Sequence, residues 1–290
     1  MLKVTAPVRI DISAGWPDSD PYRKDFGGVV LNAAIDLRVS AVFDGNNIIT
    51  SLNNVPFGGG LGASGAVRAT YLVASNPNLL KDRSDLIKRV HKFENEVIGY
   101  RAGFQDEAAA IFGGVNYWEF GSNDSIKRQS IDQKTAQDLE DHLVLVYTGQ
   151  NHLSPNIHDL VFGVENYERN IPTLDKMKIS AKEMFHILQR GSLSNMEDMI
   201  NETWELQKSL HSSIEIPIMK QIQESAARGK YSFPSYSAIR ATGAGSGGCM
   251  IFYTNDKNNL IEIIKKLEKS IQGIKYIPFK FDFEGIRIET

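Results

Sequence analysis

The sequence contains little material for covalent or metal-bound frameworks. Cys249 is the only cysteine among 290 residues, so an intrachain disulfide is excluded. The six histidines are scattered, with no HExxH pattern and no spacing that pairs them with cysteine, which argues against a dedicated zinc site. The chain therefore depends on an ordinary hydrophobic core for its stability.

Long apolar runs and a large charge of one sign are also missing. No stretch of membrane-spanning length is free of charges, and the N-terminus, with Lys3 and Arg9, lacks the apolar centre of a signal peptide. The formal charge of −3 is too small to favour nucleic acid or an anionic membrane as a partner. We therefore expect a cytoplasmic protein that binds small molecules and neither nucleic acid nor membranes, with a homodimer left open.

The pattern of apolar residues predicts a mixed α+β chain. With 42% hydrophobic residues, the chain can fill one large or two ordinary domains. Short β-branched runs between turns predict strands in the first third, and apolar residues at spacings of three and four predict a helix over residues 84 to 98. Strands and helices then interleave without regular βαβ alternation, which favours two packed layers. We expect a boundary between residues 121 and 142, which gives domains 1–140 and 141–290.

The sharpest local signal is the segment from Pro56 to Gly65, which reads PFGGGLGASG. Glycines allow amide hydrogens to turn toward an anion, and the N-terminus of a following helix adds partial positive charge. The apolar run AVRATYLVA directly after the segment can form that helix. The pattern therefore predicts a phosphate-binding loop, although glycines alone also fit a plain turn between a strand and a helix.

Two common phosphate-binding motifs do not explain this segment. A Walker A loop is excluded because no lysine precedes Ser64. The dinucleotide fingerprint is matched formally by Gly58, Gly60 and Ala63, and again by Gly243, Gly245 and Gly248. Neither match has the strand before it, the helix after it and the acidic residue about twenty positions later that the fingerprint requires.

Four segments in order along the chain carry a more specific resemblance. They are APVRIDISAGWPD (6–18) with GGVVLNA (27–33), PFGGGLGASG (56–65), GFQDE (103–107) with FGGVN (112–116), and ATGAGSGG (241–248). Together they resemble the motifs of the galactokinase, homoserine kinase, mevalonate kinase and phosphomevalonate kinase (GHMP) superfamily. The resemblance implies an ATP-dependent small-molecule kinase. It also implies an N-terminal domain similar to the second domain of ribosomal protein S5, a ferredoxin-like C-terminal domain, and an active site between them.

The resemblance also implies the catalytic pair. Asp106 matches the aspartate that accepts or orients the proton of the substrate hydroxyl, and Arg9 matches a cation beside it that stabilises the transferred phosphate. Without the resemblance, Asp106 could equally be the N-cap of a helix, and Arg9 a surface cation at the end of a strand.

The same resemblance assigns the nucleotide and metal positions. The nucleotide-binding residues would be Pro56, Gly58, Gly59, Gly60, Leu61, Gly62, Ala63 and Ser64. Ser64 and Glu94 would hold Mg²⁺, because two protein oxygens suffice when phosphates and waters complete the octahedron. Glu96 is the alternative to Glu94, since the apolar stripe of the helix includes neither, and either glutamate could simply be solvated.

The N-terminal motif separates branches of the superfamily. Its Ala-Gly-Trp-Pro-Asp sequence resembles fucokinases and heptose-phosphate kinases, which phosphorylate the anomeric O1 of a sugar. The substrate-binding residues would then be Asp18, Trp16, Gly243, Ala244 and Gly245, although a tryptophan at position 16 equally fits the core. The chain departs from the family pattern at Ala14, Ala63, Gly65 and Glu107. A kinase for mevalonate or a polyol, and a sensor that binds without catalysis, are the alternatives.

Overall fold

The computed structural model describes residues 1–98, 103–151, 157–227 and 235–289. Its strands are β1 (Leu2–Ala14), β2 (Gly28–Phe43), β3 (Ile48–Ser51), β4 (Val115–Phe120), β5 (Ile126–Ser130), β6 (Leu143–Tyr147), β7 (Ala238–Ala241), β8 (Cys249–Tyr253), β9 (Lys275–Ile277) and β10 (Arg287–Glu289). Its α-helices are α1 (Tyr22–Phe26), α2 (Ala63–Ser75), α3 (Arg83–Lys92), α4 (Gln105–Phe112), α5 (Gln133–Asp141), α6 (Ile157–Phe162), α7 (Tyr167–Gln189), α8 (Met196–Leu210), α9 (Pro217–Ala227) and α10 (Lys257–Ser270). A 3₁₀ helix spans Pro77–Lys81, and a π-helix spans Phe93–Ile98.

Two antiparallel sheets organise the chain. The larger sheet has the order β10-β1-β2-β4-β5, with β3 paired to β2, and the smaller has the order β7-β8-β6-β9. From Val4 onward β1 is buried at every residue, because helices α2, α4, α7 and α8 all pack against it. The strand that carries Arg9 is therefore covered on both faces.

Irregularities in the pairing of β1 with β2 lie next to the residues of interest. The register shifts between Pro7 and Val8, and again between Asp11 and Ser13. Bulges of this kind bend a strand and re-aim its side chains, and they are common beside active sites. Here they bracket Arg9 and Asp11.

The buried residues form two clusters: the first joins the larger sheet to one face of the smaller sheet, and the second lies on the opposite face of the smaller sheet. Trp16 and Tyr22, although they lie in the first tenth of the chain, belong to the second cluster. In the opposite direction, β10 from the C-terminal part joins the larger sheet beside β1. The division into domains 1–140 and 141–290 stays a prediction, and these two features cross it.

Most predicted elements occur near their expected positions, with one merger. Two of the runs that predict strands in the first third, GVVLNAAID and RVSAVF, form the single strand β2, because Leu37 between them and its polar neighbours Asp36 and Arg38 remain in extended backbone. The helix predicted over 84 to 98 is α3 followed by the π-helix, and its expected end near Gly99 lies outside the described residues. In the part of the chain that the structure describes, no helix combines the length and the apolar character needed to cross a membrane.

Candidate active site

An ion pair between Arg9 and Asp106 lies at the centre of the candidate site. The Nε of Arg9 donates to Oδ1 of Asp106 over 2.9 Å, and its Nη2 lies 2.7 Å from the same oxygen. Arg9 is buried, whereas the side chain of Asp106 keeps 19% of its surface exposed. Burial opposes the charge on Arg9, but the carboxylates of Asp106 and Asp11 outweigh it and raise its pKa. The guanidinium is thus a fixed cation, and the carboxylate is the accessible partner.

The segment before α2 is folded so that the start of this helix meets Asp106. Gly58, Gly60 and Gly62 have positive φ angles of 62°, 68° and 69°, a conformation that side chains rarely adopt. A Cβ atom on Gly62 would lie 2.9 Å from Cγ of Asp106, and one on Gly65 would lie 2.8 Å from its Cβ. Glycine is therefore required by the close approach as well as by the turn.

Helix α2 has the N-terminus expected of an anion-binding helix. Gly62 is its N-cap, no side chain caps it, and its first turn contains no acidic residue. The first amides of a helix lack intrahelical acceptors and carry partial positive charge. Since Arg9 donates through Nη1 to the carbonyl oxygen of Gly60 over 2.5 Å, the loop is also tied to the central cation.

The two glycine segments pack directly against each other. A Cβ on Gly60 would lie 2.6 Å from the carbonyl oxygen of Thr242, and one on Gly243 would lie 2.6 Å from that of Gly60. The amide of Cys249 donates to the carbonyl of Gly59 over 2.8 Å. The structure thus brings together Arg9, Asp106 and both glycine segments, which lie up to 240 positions apart in the sequence.

Asp11 is a member of this cluster that sequence reasoning missed. Its Oδ2 accepts the amide of Gly243 over 2.8 Å, and its Oδ1 lies 3.2 Å from Nε of Arg9. Its own amide donates to Oγ1 of Thr242 over 3.1 Å. Burial raises the pKa of Asp11 despite the opposing effect of Arg9. A carboxylate two positions after Arg9, in a strand rich in apolar residues, was the signal available in the sequence.

Arg240 is a second residue that sequence reasoning missed. It is fully buried and donates to the carbonyl oxygens of Ile12 and Ala14 over 3.0 and 3.1 Å. It also donates to Oε1 of Gln207, whose Nε2 donates to the carbonyl of Gly243 over 2.9 Å. Burial lowers the pKa of Arg240 to about 10. This cation joins the end of β1 to the C-terminal glycine segment.

Of the two glutamates considered for a metal, Glu94 faces the site. The hydroxyl of Ser64 donates to its Oε1 over 3.1 Å, and Nη1 of Arg68 lies 2.5 Å from the same oxygen. Its Oε2 is buried without a hydrogen-bond partner, and burial followed by the charge of Glu107 raises its pKa to about 8. Glu96 is 65% exposed and lies 3.7 Å from Lys92.

Ser64 and Glu94 suit a magnesium ion that is shared with phosphates. The described ranges contain no group of three or more His, Cys, Asp or Glu residues that could hold a metal alone. Magnesium accepts one or two protein oxygens when phosphate oxygens and waters supply the rest. The unpartnered Oε2 of Glu94 is an oxygen that such a cation would satisfy.

A buried pair supports the helix of Asp106 from behind. Nδ1 of His91 lies 3.1 Å from Oε1 of the fully buried Glu107, and the His91 ring stacks on Phe104 at 3.6 Å between centroids. Burial raises the pKa of Glu107 and lowers that of His91. Both directions favour a neutral pair.

The predicted sugar-binding residues differ in their surroundings. Asp18 is buried, accepts the amide of Gln105 at Oδ2 over 3.0 Å, and has no partner at Oδ1. Burial raises its pKa to about 7. Trp16 has no exposed surface, and its ring lies 4.9 Å from that of His158 and 5.8 Å from that of Phe162. The surroundings of Trp16 therefore match the core role that the sequence left open.

Comparisons with known proteins bear on the family. The model of the N-terminal domain of GHMP kinases matches residues 29–114, and the C-terminal model matches residues 184–272, together more than half of the chain. D-glycero-alpha-D-manno-heptose 7-phosphate kinase of Campylobacter jejuni is 24% identical over 99% of this chain and 98% of its own. L-fucokinase/L-fucose-1-P guanylyltransferase of Bacteroides fragilis is 23% identical over 98% of this chain and 38% of its own.

Solved structures agree on the fold. A D-glycero-D-manno-heptose 1-phosphate kinase from Bacteroides thetaiotaomicron superposes with a TM-score of 0.74 at 20% identity, covering 100% of this chain and 99% of its own. Its fold confirms the mixed α+β architecture predicted from the sequence. On the evidence of both family models, the chain belongs to the GHMP kinases and has their two-domain fold.

Proposed function

We propose that this protein transfers the γ-phosphate of ATP to a hydroxyl of a sugar or sugar phosphate, at the anomeric O1. The observation that carries the proposal is the buried Arg9 with the accessible Asp106, enclosed by two glycine segments. A sugar is favoured over mevalonate because the two relatives described above are named as a heptose-phosphate kinase and a fucokinase.

In this proposal Asp106 is the proton acceptor. The substrate oxygen attacks the γ-phosphorus, the bond from that phosphorus to the bridging oxygen of ADP breaks, and the hydroxyl proton passes to the Asp106 carboxylate. Arg9 holds Oδ1 of Asp106 with two N–H groups, which leaves Oδ2 for the proton. The same guanidinium offsets negative charge on the transferring oxygens.

The phosphates of ATP would lie against the residues from Pro56 to Ser64. The uncapped N-terminus of α2 offers amides to the phosphate oxygens, and the positive φ angles of the glycines keep side chains out of their way. A nucleotide bound in this way would place its terminal phosphate at the start of α2, next to Asp106. In-line attack by the substrate hydroxyl requires the phosphate at this position.

Ser64 and Glu94 would hold Mg²⁺, which would offset charge between the phosphates. Nη1 of Arg68 lies 2.5 Å from Oε1 of Glu94. Arg68 therefore orients Glu94 and leaves Oε2 as the oxygen that would bind the cation. On the acceptor side, Asp18 and the turn from Gly243 to Gly245 would contact the sugar, and Trp16 would support them from the core. Two domains, 1–140 and 141–290, a cytoplasmic location and a homodimer stay predictions.

The direct test is a substrate panel. Purified protein is incubated with ATP, Mg²⁺ and hexoses, heptoses, their phosphates, polyols or mevalonate, and ADP release is measured. We expect release with a sugar or sugar phosphate, and a phosphorylated anomeric carbon in the product by ³¹P and ¹³C NMR. Turnover with mevalonate alone would contradict the choice of substrate. Saturable nucleotide and sugar binding without any ADP release would instead favour the sensor.

A further inference from the structure

Gln105, the residue before Asp106, presents a fixed hydrogen-bond acceptor. Its Nε2 donates to the carbonyl oxygen of Gly15 over 3.1 Å, and this contact decides which end of the amide is the nitrogen. The other end, Oε1, is buried and has no hydrogen-bond partner. A rotation of the amide cannot satisfy it, because the rotation would place two carbonyl oxygens against each other.

A second unpartnered acceptor belongs to Asp18, which is hydrogen-bonded to the backbone of Gln105. The amide of Gln105 donates to Oδ2 of Asp18 over 3.0 Å, while Oδ1 of Asp18 is buried without a partner. A Cβ on Gly103 would lie only 2.0 Å from Oδ2, so the backbone there is pressed against the carboxylate. One hydrogen bond thus ties the two acceptors together.

The backbone of Gln105 is itself held by a buried series of hydrogen bonds. Nδ2 of Asn32 donates to its carbonyl oxygen over 3.2 Å, and Nε1 of Trp118 donates to Oδ1 of Asn32 over 3.0 Å. All of these groups are buried. The backbone of Gln105, from which both acceptors are positioned, is therefore fixed in place.

Unpartnered buried acceptors destabilise the protein, and a ligand with donors at both positions would remove that cost. We propose that Gln105 is a specificity-determining residue that, together with Asp18, binds two hydroxyl groups of a polyhydroxylated acceptor besides the hydroxyl that reacts at Asp106. This inference rests on the proposed function and narrows its substrate class.

The test uses the best sugar of the panel and its monodeoxy analogues, each lacking one hydroxyl. With the wild-type protein, two of the analogues are expected to lose about 10- to 100-fold in kcat/KM, because each leaves one acceptor unpaired. Equal kcat/KM for the parent sugar and every monodeoxy analogue would overturn the inference without any mutant.

The Gln105→Met variant assigns one of these losses to its residue. This variant should lower kcat/KM for the parent sugar by about tenfold. With one deoxy analogue, its kcat/KM should equal that of the wild-type protein with the same analogue. Such a non-additive result is diagnostic of direct contact. Gln137→Met, on the exposed surface of α5, is the matched control and should change neither. The KM for ATP and the thermal midpoint of each variant check that the nucleotide site and the fold are intact.

The outcomes separate this inference from the proposed function. Sugar phosphorylation that falls by the same factor with every analogue in Gln105→Met would overturn the inference alone, because the residue would then act only through packing. Absence of phosphorylation of any sugar by the wild-type protein would overturn the proposed function, and the inference with it.

Discussion

The ion pair of Arg9 with Asp106 and the acceptor side of the candidate site differ in how fully their polar groups are hydrogen-bonded. On the phosphate side, the guanidinium of Arg9 binds Asp106 and the carbonyl of Gly60, and glycine backbones close the remaining space. On the acceptor side, Asp18 and Gln105 each keep a buried oxygen without a partner. The difference indicates that the ion pair of Arg9 with Asp106 is complete in the protein alone, whereas the two oxygens on the acceptor side, like Oε2 of Glu94 on the phosphate side, require a ligand to complete them.

The largest expected effect comes from removing Asp106, the proposed proton acceptor. Asp106→Asn keeps the shape of the side chain and an oxygen for Arg9, but it cannot take up the proton. We expect kcat to fall by about 10²–10⁴-fold, with ATP binding retained in a calorimetric titration. An unchanged kcat would show that the pair with Arg9 has only a structural role.

A methyl group at Gly62 tests the close packing on the same side. Its Cβ would lie 2.9 Å from Cγ of Asp106, so we expect Gly62→Ala to lower kcat by about 10–100-fold through displacement of that carboxylate. Gly45→Ala is the control, because Gly45 also has a positive φ angle, 109°, but has no neighbour within 4 Å. Equal losses of kcat in both variants would attribute the effect to backbone strain.

The stability of the protein should depend on pH through Asp18, on the acceptor side of the site. The pKa of Asp18 is raised from 3.8 to about 7, so the folded state binds more protons than the unfolded state between these values, and stability falls as pH rises through them. Asp18→Asn removes this loss. We expect the free energy of unfolding of Asp18→Asn to rise, relative to that of the wild-type protein, by about 2 kcal/mol between about pH 5.5 and about pH 8.5.

Urea unfolding of both proteins at the two pH values measures that difference. Asn retains an oxygen for the amide of Gln105, so the variant should fold. A constant difference across the pH range would mean that Asp18 is already ionised at low pH, and that its unpartnered oxygen carries a full charge throughout.

The smallest effect is expected at Asp11, which joins the C-terminal glycine segment to Arg9. Asp11→Asn keeps an acceptor for the amide of Gly243 but removes the negative charge 3.2 Å from Nε of Arg9. We expect kcat to fall by about 3–10-fold with an unchanged KM for ATP. A rise in KM for ATP at constant kcat would mean that Asp11 positions the glycine segment and not the guanidinium.

The sequence was sufficient for features that depend on neighbouring residues. The strands, most helices and the turn before α2 follow from local patterns, and the four ordered segments were enough to predict the family and the fold. Arg9 and Asp106 were named through that resemblance, and the structure brings them within hydrogen-bonding distance. Their chemical roles remain proposals.

Pairings between distant parts of the chain could not be predicted. Arg240 contacts the carbonyl oxygens of Ile12 and Ala14 from more than 200 positions away, and no local pattern reports such a contact. The sequence left the choice between Glu94 and Glu96 open for another reason, since the π-helix Phe93–Ile98 changes the direction of side chains relative to a regular helix.

The pairing of β10 with β1 affects the order in which the protein can mature. Residues 287 to 289 complete the edge of the sheet that contains Arg9, so during synthesis that edge stays open until these residues have left the ribosome. An open strand edge can recruit other chains. A nascent chain, or a fragment cut after residue 140, therefore carries β1 with this edge unpaired.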